Sequence, residues 1–271
     1  MRFRTLIRWS AIAFGVLALA LAVFVLRFDL NQYRRPLEAA AGEALGRAVT
    51  LGGPLTLAFS LTPTIAAEQV RIANPAWASR SHLAEAARAE IQIDLLPLLR
   101  EQLVVRQVGL DGADILLEAT ADGANNWTFG ETAGGLPDIP RPPDSLTITA
   151  RRSTLAYRSP TSTVALALAT AQAVVAEDRP FHLSFEGTLR GVPLTLNLEA
   201  GTLADLRAPT ARWPITLSLR APDASLTAQG TAALQAGSGG IDLQVSLSGQ
   251  RLNALDPLLG SGMPALGPYE V

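Results

Sequence analysis

The sequence predicts a mainly β protein, in which an N-terminal transmembrane helix and a short amphipathic helix precede an antiparallel, curved β-sheet body of groove-like or sandwich form. Three observations predict this fold class. Residues 9–26 form a run of eighteen residues without a charge. Residues 29–49 have apolar side chains at helical spacing. From residue 51 onward apolar and polar residues alternate in short runs, which Gly and Pro turn signals separate.

The uncharged run has the length of a membrane span. As a helix, 9–26 would extend about 27 Å, close to the thickness of the hydrocarbon layer of a bilayer. We therefore expect a cytoplasmic tail at 1–8, a single transmembrane helix at 9–27 and a body outside the cytoplasm. The residues expected to anchor the chain in the membrane are Trp9, Phe14, Leu19, Phe24 and Leu26.

Two other interpretations of this run are less consistent with its length and composition. A cleaved signal peptide would also begin with basic residues and end on small ones, as at 18–20, but its apolar core rarely exceeds about 15 residues. A buried core helix is disfavoured because Ser10 is the only polar residue of the run. The expected orientation follows from the tendency of long domains to translocate while short basic tails stay inside.

The composition excludes several function classes. The chain has 271 residues, a net charge of −2 and no cysteine, so disulfides, thiol catalysis and cysteine-ligated zinc are unavailable. The slight acidic excess argues against nucleic acid as a partner. The two histidines, His82 and His182, belong to no catalytic or metal motif, and no lysine exists to complete a phosphate-binding loop. We therefore expect no enzymatic activity, no cofactor and no metal site.

The segment 29–49 predicts a helix that Asp29 or Asn31 can cap and Gly46 can end. Two interpretations remain open: an amphipathic helix at the membrane surface, or a helix packed on the body. Alternation then predicts strands at 55–61, 70–72, 91–95, 103–110 and 115–118, with a short helical turn at 96–100. Asp111 and Asp114 flank Gly112-Ala113, which is interpreted as a turn.

A family resemblance becomes visible over this part of the chain. The span is followed by DLNQYRRPLEAAAGEALGRAV (29–49), LGGPLTLAFSLTPTIAAEQVRIANPAWAS (51–79), IQIDLLPLLREQLVVRQVGLDGADILLE (91–118) and ADGANNWTF (121–129). This order resembles the N-terminal region of the AsmA family of bacterial envelope proteins, and 28–129 is interpreted as its α+β module. The resemblance implies an inner-membrane anchor, a periplasmic β-rich body and a role in outer-membrane biogenesis. Members of the wider group are thought to carry phospholipids along β-grooves.

The second half of the chain predicts a series of antiparallel strands. The Gly- and Pro-rich segment 130–144 is interpreted as a linker. Residues 145–271 are interpreted as an antiparallel strand module, truncated relative to family members that continue into further β-repeats. The side chains that would line a lipid groove are Leu183, Phe185, Leu194, Leu196, Leu217, Leu219, Leu243 and Val245.

Alternation alone leaves the state of this apolar face open. A closed core, with two sheets packed face to face, and an open trough are equally compatible with one apolar face per strand. An open trough would suit phospholipid, which is the expected partner besides the membrane. A protein scaffold is the alternative function, with an envelope protein pairing at an open sheet edge. An anchored hydrolase is disfavoured because the catalytic motifs are missing.

Overall fold

The computed structural model describes residues 29–98, 100, 102, 104–129, 145–207, 212–232, 240–251, 253, 256, 264 and 267–270. The predicted transmembrane helix at 9–27, with all of its anchor residues, lies outside the described residues, and so does the predicted linker at 130–144. Within the described ranges, none of the helices has the length and apolar character needed to cross a bilayer.

Strands dominate the described chain. A 3-10 helix at Leu30–Tyr33 precedes α1, and the three helices are α1 Arg34–Leu45, α2 Leu95–Leu98 and α3 Leu203–Arg207. The strands are β1 Val49–Leu51, β2 Leu55–Ala58, β3 Thr64–Ala73, β4 His82–Ile93, β5 Val105–Glu118, β6 Leu146–Arg158, β7 Thr163–Val175, β8 Phe181–Leu189, β9 Val192–Ala200, β10 Trp213–Ala221, β11 Ala224–Ala232, β12 Ile241–Gly249 and β13 Tyr269–Glu270.

The described strands all belong to one open, curved sheet. From β3 to β13 the strands follow the chain order, and β1 and β2 lie one after the other along the same outer edge of β3. Tight turns join many neighbours; Arg190 and Gly191, for example, both have positive φ (51° and 82°) between β8 and β9, as a two-residue hairpin requires. The prediction of a mainly β fold with few helices is confirmed. The sandwich alternative is not found among the described strands.

One strand pair departs from the predicted antiparallel arrangement. β5 and β6 are parallel, from Gln107 opposite Thr147 to Glu118 opposite Arg158. Parallel neighbours need a connection of about a dozen residues or more, and the chain between these strands, 119–145, satisfies this requirement. Alternation carries no information about strand direction, so the sequence could not predict the exception.

A crease runs across the first half of the sheet. Strands β3 to β7 each have one residue outside the paired ladder at the same level, and these residues are Gln69, Ala87, Gly112, Arg152 and Ala169. Gln69, Gly112 and Arg152 have positive φ (52°, 59° and 47°). Each extra residue shifts the alternation by one. The predicted turn at Gly112-Ala113 is therefore wrong: β5 continues through it as a kinked strand.

The N-terminal edge of the sheet is covered by helix side chains. The Leu51 N–H donates to Glu38 Oε1 at 2.7 Å, and the Leu55 N–H donates to Asn31 Oδ1 at 2.9 Å. Arg34 Nη2 donates to the Gly53 carbonyl at 2.7 Å. Unpaired edge groups template association with other strands, and these three side chains occupy such groups on β1, β2 and the segment between them.

The C-terminal edge is different. β12 pairs with β11 along its whole length, but on its other side β13 pairs only with Ser248 and Gly249. Residues 241–247 therefore present an edge that no described strand covers. Of these two edges, the one formed by residues 241–247 is the one at which a further strand could pair.

The loop after β5 is fastened by buried polar groups. Asn126 is completely buried; its Nδ2 donates to the Leu116 carbonyl at 2.8 Å and to Asn74 Oδ1 at 3.0 Å. Its Oδ1 accepts from the Glu118 N–H at 2.8 Å. The Glu118 carboxylate, also buried, accepts from Arg158 Nη1 at 3.3 Å. Buried polar groups need such partners, and here they hold two loops against the end of β5.

Candidate functional site: the apolar face

Two apolar rows cross the sheet from β2 to β12. In each row, one residue per strand stands opposite its neighbours in the strand register, so the side chains share a face. Row 1 consists of Leu57, Ile65, Ile91, Val108, Ile148, Ala173, Leu183, Leu198, Leu217, Ala228 and Val245. Row 2 consists of Leu55, Ala67, Ala89, Leu110, Ala150, Ala171, Phe185, Leu196, Leu219, Leu226 and Leu247.

The rows are uninterrupted by any polar or ionisable residue. Eleven strands spaced about 4.8 Å apart make each row roughly 48 Å long. Neighbouring positions widen the strip; Phe181, Ala200 and Ile215, for instance, stand opposite one another beside row 1. We call this surface the apolar face.

All eight predicted groove residues lie on the apolar face. Five are members of the rows in β8 to β10, Val245 ends row 1, and Leu243 and Leu194 stand beside the rows. Their exposure differs, since Val245 is 52% exposed whereas Phe185 and Leu194 are only 7% and 6% exposed. The Phe185 ring packs over Gly187, where an added Cβ would lie 2.9 Å from it. Phe185 and Leu194 therefore offer little surface to a ligand.

The predicted groove residues do not include the part of the apolar face that precedes β8. Ile91 and Ile148 belong to row 1 and are 42% and 38% exposed, an unusual exposure for isoleucine in a sheet. Their alternation was visible in the sequence. The crease hid this part of the face. In β3 to β7 the apolar residues on one side of the crease have odd numbers and those on the other side have even numbers, or the reverse, so strict alternation does not assign them to one face.

The opposite, polar face changes character along the sheet. Across β3 to β6 it carries ion pairs, among them Arg88 with Glu90 at 2.6 Å and Arg80 with Asp114 at 2.9 Å. The hydrogen bond to Glu90 is the main cause that raises the pKa of Arg88. Across β8 to β11 uncharged side chains prevail, such as Ser184, Asn197 and Ser218. These line an open depression of about 350 Å³.

No metal-binding group of three or more His, Asp or Glu side chains occurs in the part of the chain that the structure describes. The two histidines are separate: His82 Nδ1 lies 2.9 Å from Glu85, and His182 Nδ1 lies 3.9 Å from Glu199. The continuous feature of the described molecule is thus the apolar face.

This geometry defines a class of protein. Its members have an open β-sheet with one apolar and one polar face, and a helix borders the N-terminal edge of the sheet. Residues 2–134 match the model of the AsmA family, so the N-terminal region of the chain is similar to that family. The resemblance found in the sequence is confirmed.

A relative agrees with this assignment. The AsmA family protein YhjG of Escherichia coli (strain K12) is 22% identical over 293 aligned residues, which include 95% of this chain and 43% of the relative. The chain therefore spans less than half the length of the relative that it matches.

Proposed function

We propose that the chain is an inner-membrane-anchored periplasmic protein of outer-membrane biogenesis, which carries phospholipid along the apolar face of its sheet. The match of residues 2–134 to the AsmA family supports the envelope role. The observation that carries the lipid proposal is the pair of rows, uninterrupted over eleven strands.

The physical need for such a surface is large. Exposing an acyl tail to water costs about 0.8 kcal/mol per CH₂ group, or roughly 12 kcal/mol for a sixteen-carbon tail. An apolar face removes much of this barrier while the head group stays in water. The absence of ionisable side chains in the rows matters here, because a buried charge beside a tail would add a desolvation cost.

The test uses a photo-crosslinking residue in the full chain in its native envelope. Placed at Leu183 or Leu217 on the apolar face, the probe should crosslink to phospholipid, which mass spectrometry identifies. Placed at Ser184 or Thr216, the next residues on the polar face, it should not. Equal yields from both faces, or none from either, would contradict lipid carriage.

A charge on the apolar face provides a second readout. Leu217→Glu should strongly reduce the phospholipid that co-purifies with the chain, since the carboxylate interrupts row 1. Ser218→Glu, which adds the same charge on the polar face, is the matched control and should retain the lipid. Loss of lipid in both variants would point to a general effect of charge rather than to the rows.

A protein scaffold is the second candidate function. It is favoured by residues 241–247 of β12, which form an edge that no described strand covers and that an extended segment of an envelope protein could pair with. A folded chain without phospholipid on either face would make this scaffold the better proposal.

A further inference from the structure

A second exposed apolar surface lies at one corner of the sheet. It consists of Phe59 and Leu61, after β2, and of Leu95 and Leu96, after β4; their exposed fractions are 46%, 80%, 38% and 71%. We call this set the apolar corner. The prediction of a strand over 55–61 was wrong beyond Ala58, and Phe59 and Leu61 are surface residues rather than core residues.

The two segments of the apolar corner are fastened together. The Leu95 N–H donates to the Leu61 carbonyl at 3.4 Å and the Ile93 N–H to the Pro63 carbonyl at 3.1 Å. The Gln92 side chain reaches Thr62 Oγ1 at 3.3 Å. These hydrogen bonds hold the two segments in place, so Leu61, Leu95 and Leu96 are exposed because of the backbone fold.

The apolar corner presents no free charge. In 59–63 and 94–98 the only ionisable residue is Asp94. Its side chain is turned inward, 13% exposed, and pairs with Arg106 Nε at 2.6 Å. Contiguous exposed apolar surface without charge is typical of contacts with membranes or other proteins.

The course of the chain favours a membrane as the occupant. Glu38 contacts Leu51, and Asn31 contacts Leu55, so the chain from 31 to 38 runs alongside β2 and β1 in the direction opposite to these strands. The chain therefore enters the body at Asp29 from the end of the sheet where β2 ends, which is the end that carries the apolar corner. The sequence places an eighteen-residue uncharged run just before this entry point.

We propose that the apolar corner inserts into the surface of the bilayer that residues 9–26 cross. The inference rests on the membrane anchorage of the proposed function, and it stands apart from lipid carriage. It has one consequence for lipid carriage: Ile91, 42% exposed, lies in the strand that leads into the corner. One end of row 1 is then at the bilayer surface, where acyl tails are available.

The absence of cysteine from the chain allows a direct test. Single variants Leu61→Cys and Leu96→Cys, in the full chain, are labelled with an environment-sensitive fluorophore and reconstituted into nanodiscs of phosphatidylethanolamine and phosphatidylglycerol. Thr161→Cys is the control, because it is exposed in the turn between β6 and β7 at the opposite end of the strands. All three residues are exposed, so the variants should fold alike, which thermal unfolding checks.

The expected result is several-fold stronger quenching at 61 and 96 than at 161 when the nanodiscs contain lipids with a quencher on their acyl chains. Equal quenching at the three sites would overturn the proposal. A blue-shifted label without quenching, which indicates a second copy or another protein on the corner, would overturn it too, as would a chain that does not co-purify with nanodiscs. Crosslinking at Leu217 is scored separately, so failure of lipid carriage leaves this test intact.

Discussion

β5 and β9 supply residues to the same two apolar rows, but the two strands are held in different ways. β5 is kinked at Gly112, carries charged side chains on its polar face, and ends under a loop that buried Asn126 fastens. β9 is unkinked, has a largely uncharged polar face, and is held mainly by pairing with β8 and β10. The rows pass through both strands unchanged.

The comparison distinguishes the contacts that stabilise the sheet from the apolar rows on its surface. The creased half, β3 to β7, has close ion pairs and loops that buried polar side chains hold in place. The plain half, β8 to β12, relies mainly on strand pairing and on half-buried leucines, with Phe185 and Leu194 as its largest buried side chains. Because the apolar rows persist while these supports vary, the rows are the common property of the two halves. We therefore expect substitutions to cost more stability in the creased half.

The largest contrast is expected between two leucines. Leu116→Ala, in the creased half, removes a side chain that is only 5% exposed and should lower the free energy of unfolding by about 3 kcal/mol. Leu196→Ala, in the plain half, removes a half-buried side chain and should cost about 1 kcal/mol, since less apolar surface returns to water. Denaturant titration of both variants measures this difference. Equal losses would mean that the side chain of Leu196 contributes as much to stability as the buried side chain of Leu116.

Asn126 provides the next test. Asn126→Ala leaves the Leu116 carbonyl and the Glu118 N–H without their partner, and we expect a loss of about 2 kcal/mol in the free energy of unfolding. Asn197→Ala, on the exposed polar face of β9, is the control and should change it by less than about 0.5 kcal/mol. Thermal unfolding measures both. A stable Asn126→Ala variant would show that the loop does not need its buried polar contacts.

The crease has a smaller expected cost. Gly112 has φ of 59°, and an added Cβ would lie 3.0 Å from Ala87 Cβ, so Gly112→Ala should destabilise the chain by about 1 kcal/mol. Gly240→Ala meets no atom within 4 Å and has no positive φ, and it should be close to neutral. Similar unfolding midpoints for both variants would show that the crease tolerates a side chain.

The ion pairs should matter least. Arg71 and Glu85 are 3.7 Å apart and about half exposed, and such pairs contribute less than about 1 kcal/mol. We expect Arg71→Gln to change the free energy of unfolding by less than about 0.5 kcal/mol. High salt should leave the wild-type unfolding midpoint nearly unchanged. A marked loss in either experiment would make charge a principal support of the creased half.

The plain half was the easier half to predict from sequence. There strict alternation marks strands and turns together, and it places Leu183 and Leu217 on one face, as the strand register also does. The crease limited the prediction in the other half. In β5, alternation breaks at Asp111-Gly112 in the way that it breaks at a turn, and only the neighbouring strands show that the ladder resumes one residue later.

Properties that depend on partners in space could not be predicted. The parallel pairing of β5 with β6 depends on a long connection and leaves no local signal. The burial of Asn126, beside the more conspicuous Trp127, depends on contacts with Asn74. The exposure of Leu61 was hidden because leucine in an alternating run indicates a core face in most sheets.

The agreement between strand order and chain order has a consequence for biogenesis. From β3 onward each strand pairs with its predecessor in the chain. Each strand can therefore pair with an edge that is already formed when that strand folds. Assembly can then proceed strand by strand from the N-terminal end of the sheet, because most contacts are local in sequence. The exception is β6, which must close the long connection 119–145 before it meets β5. We expect this step to set the pace at which the sheet assembles.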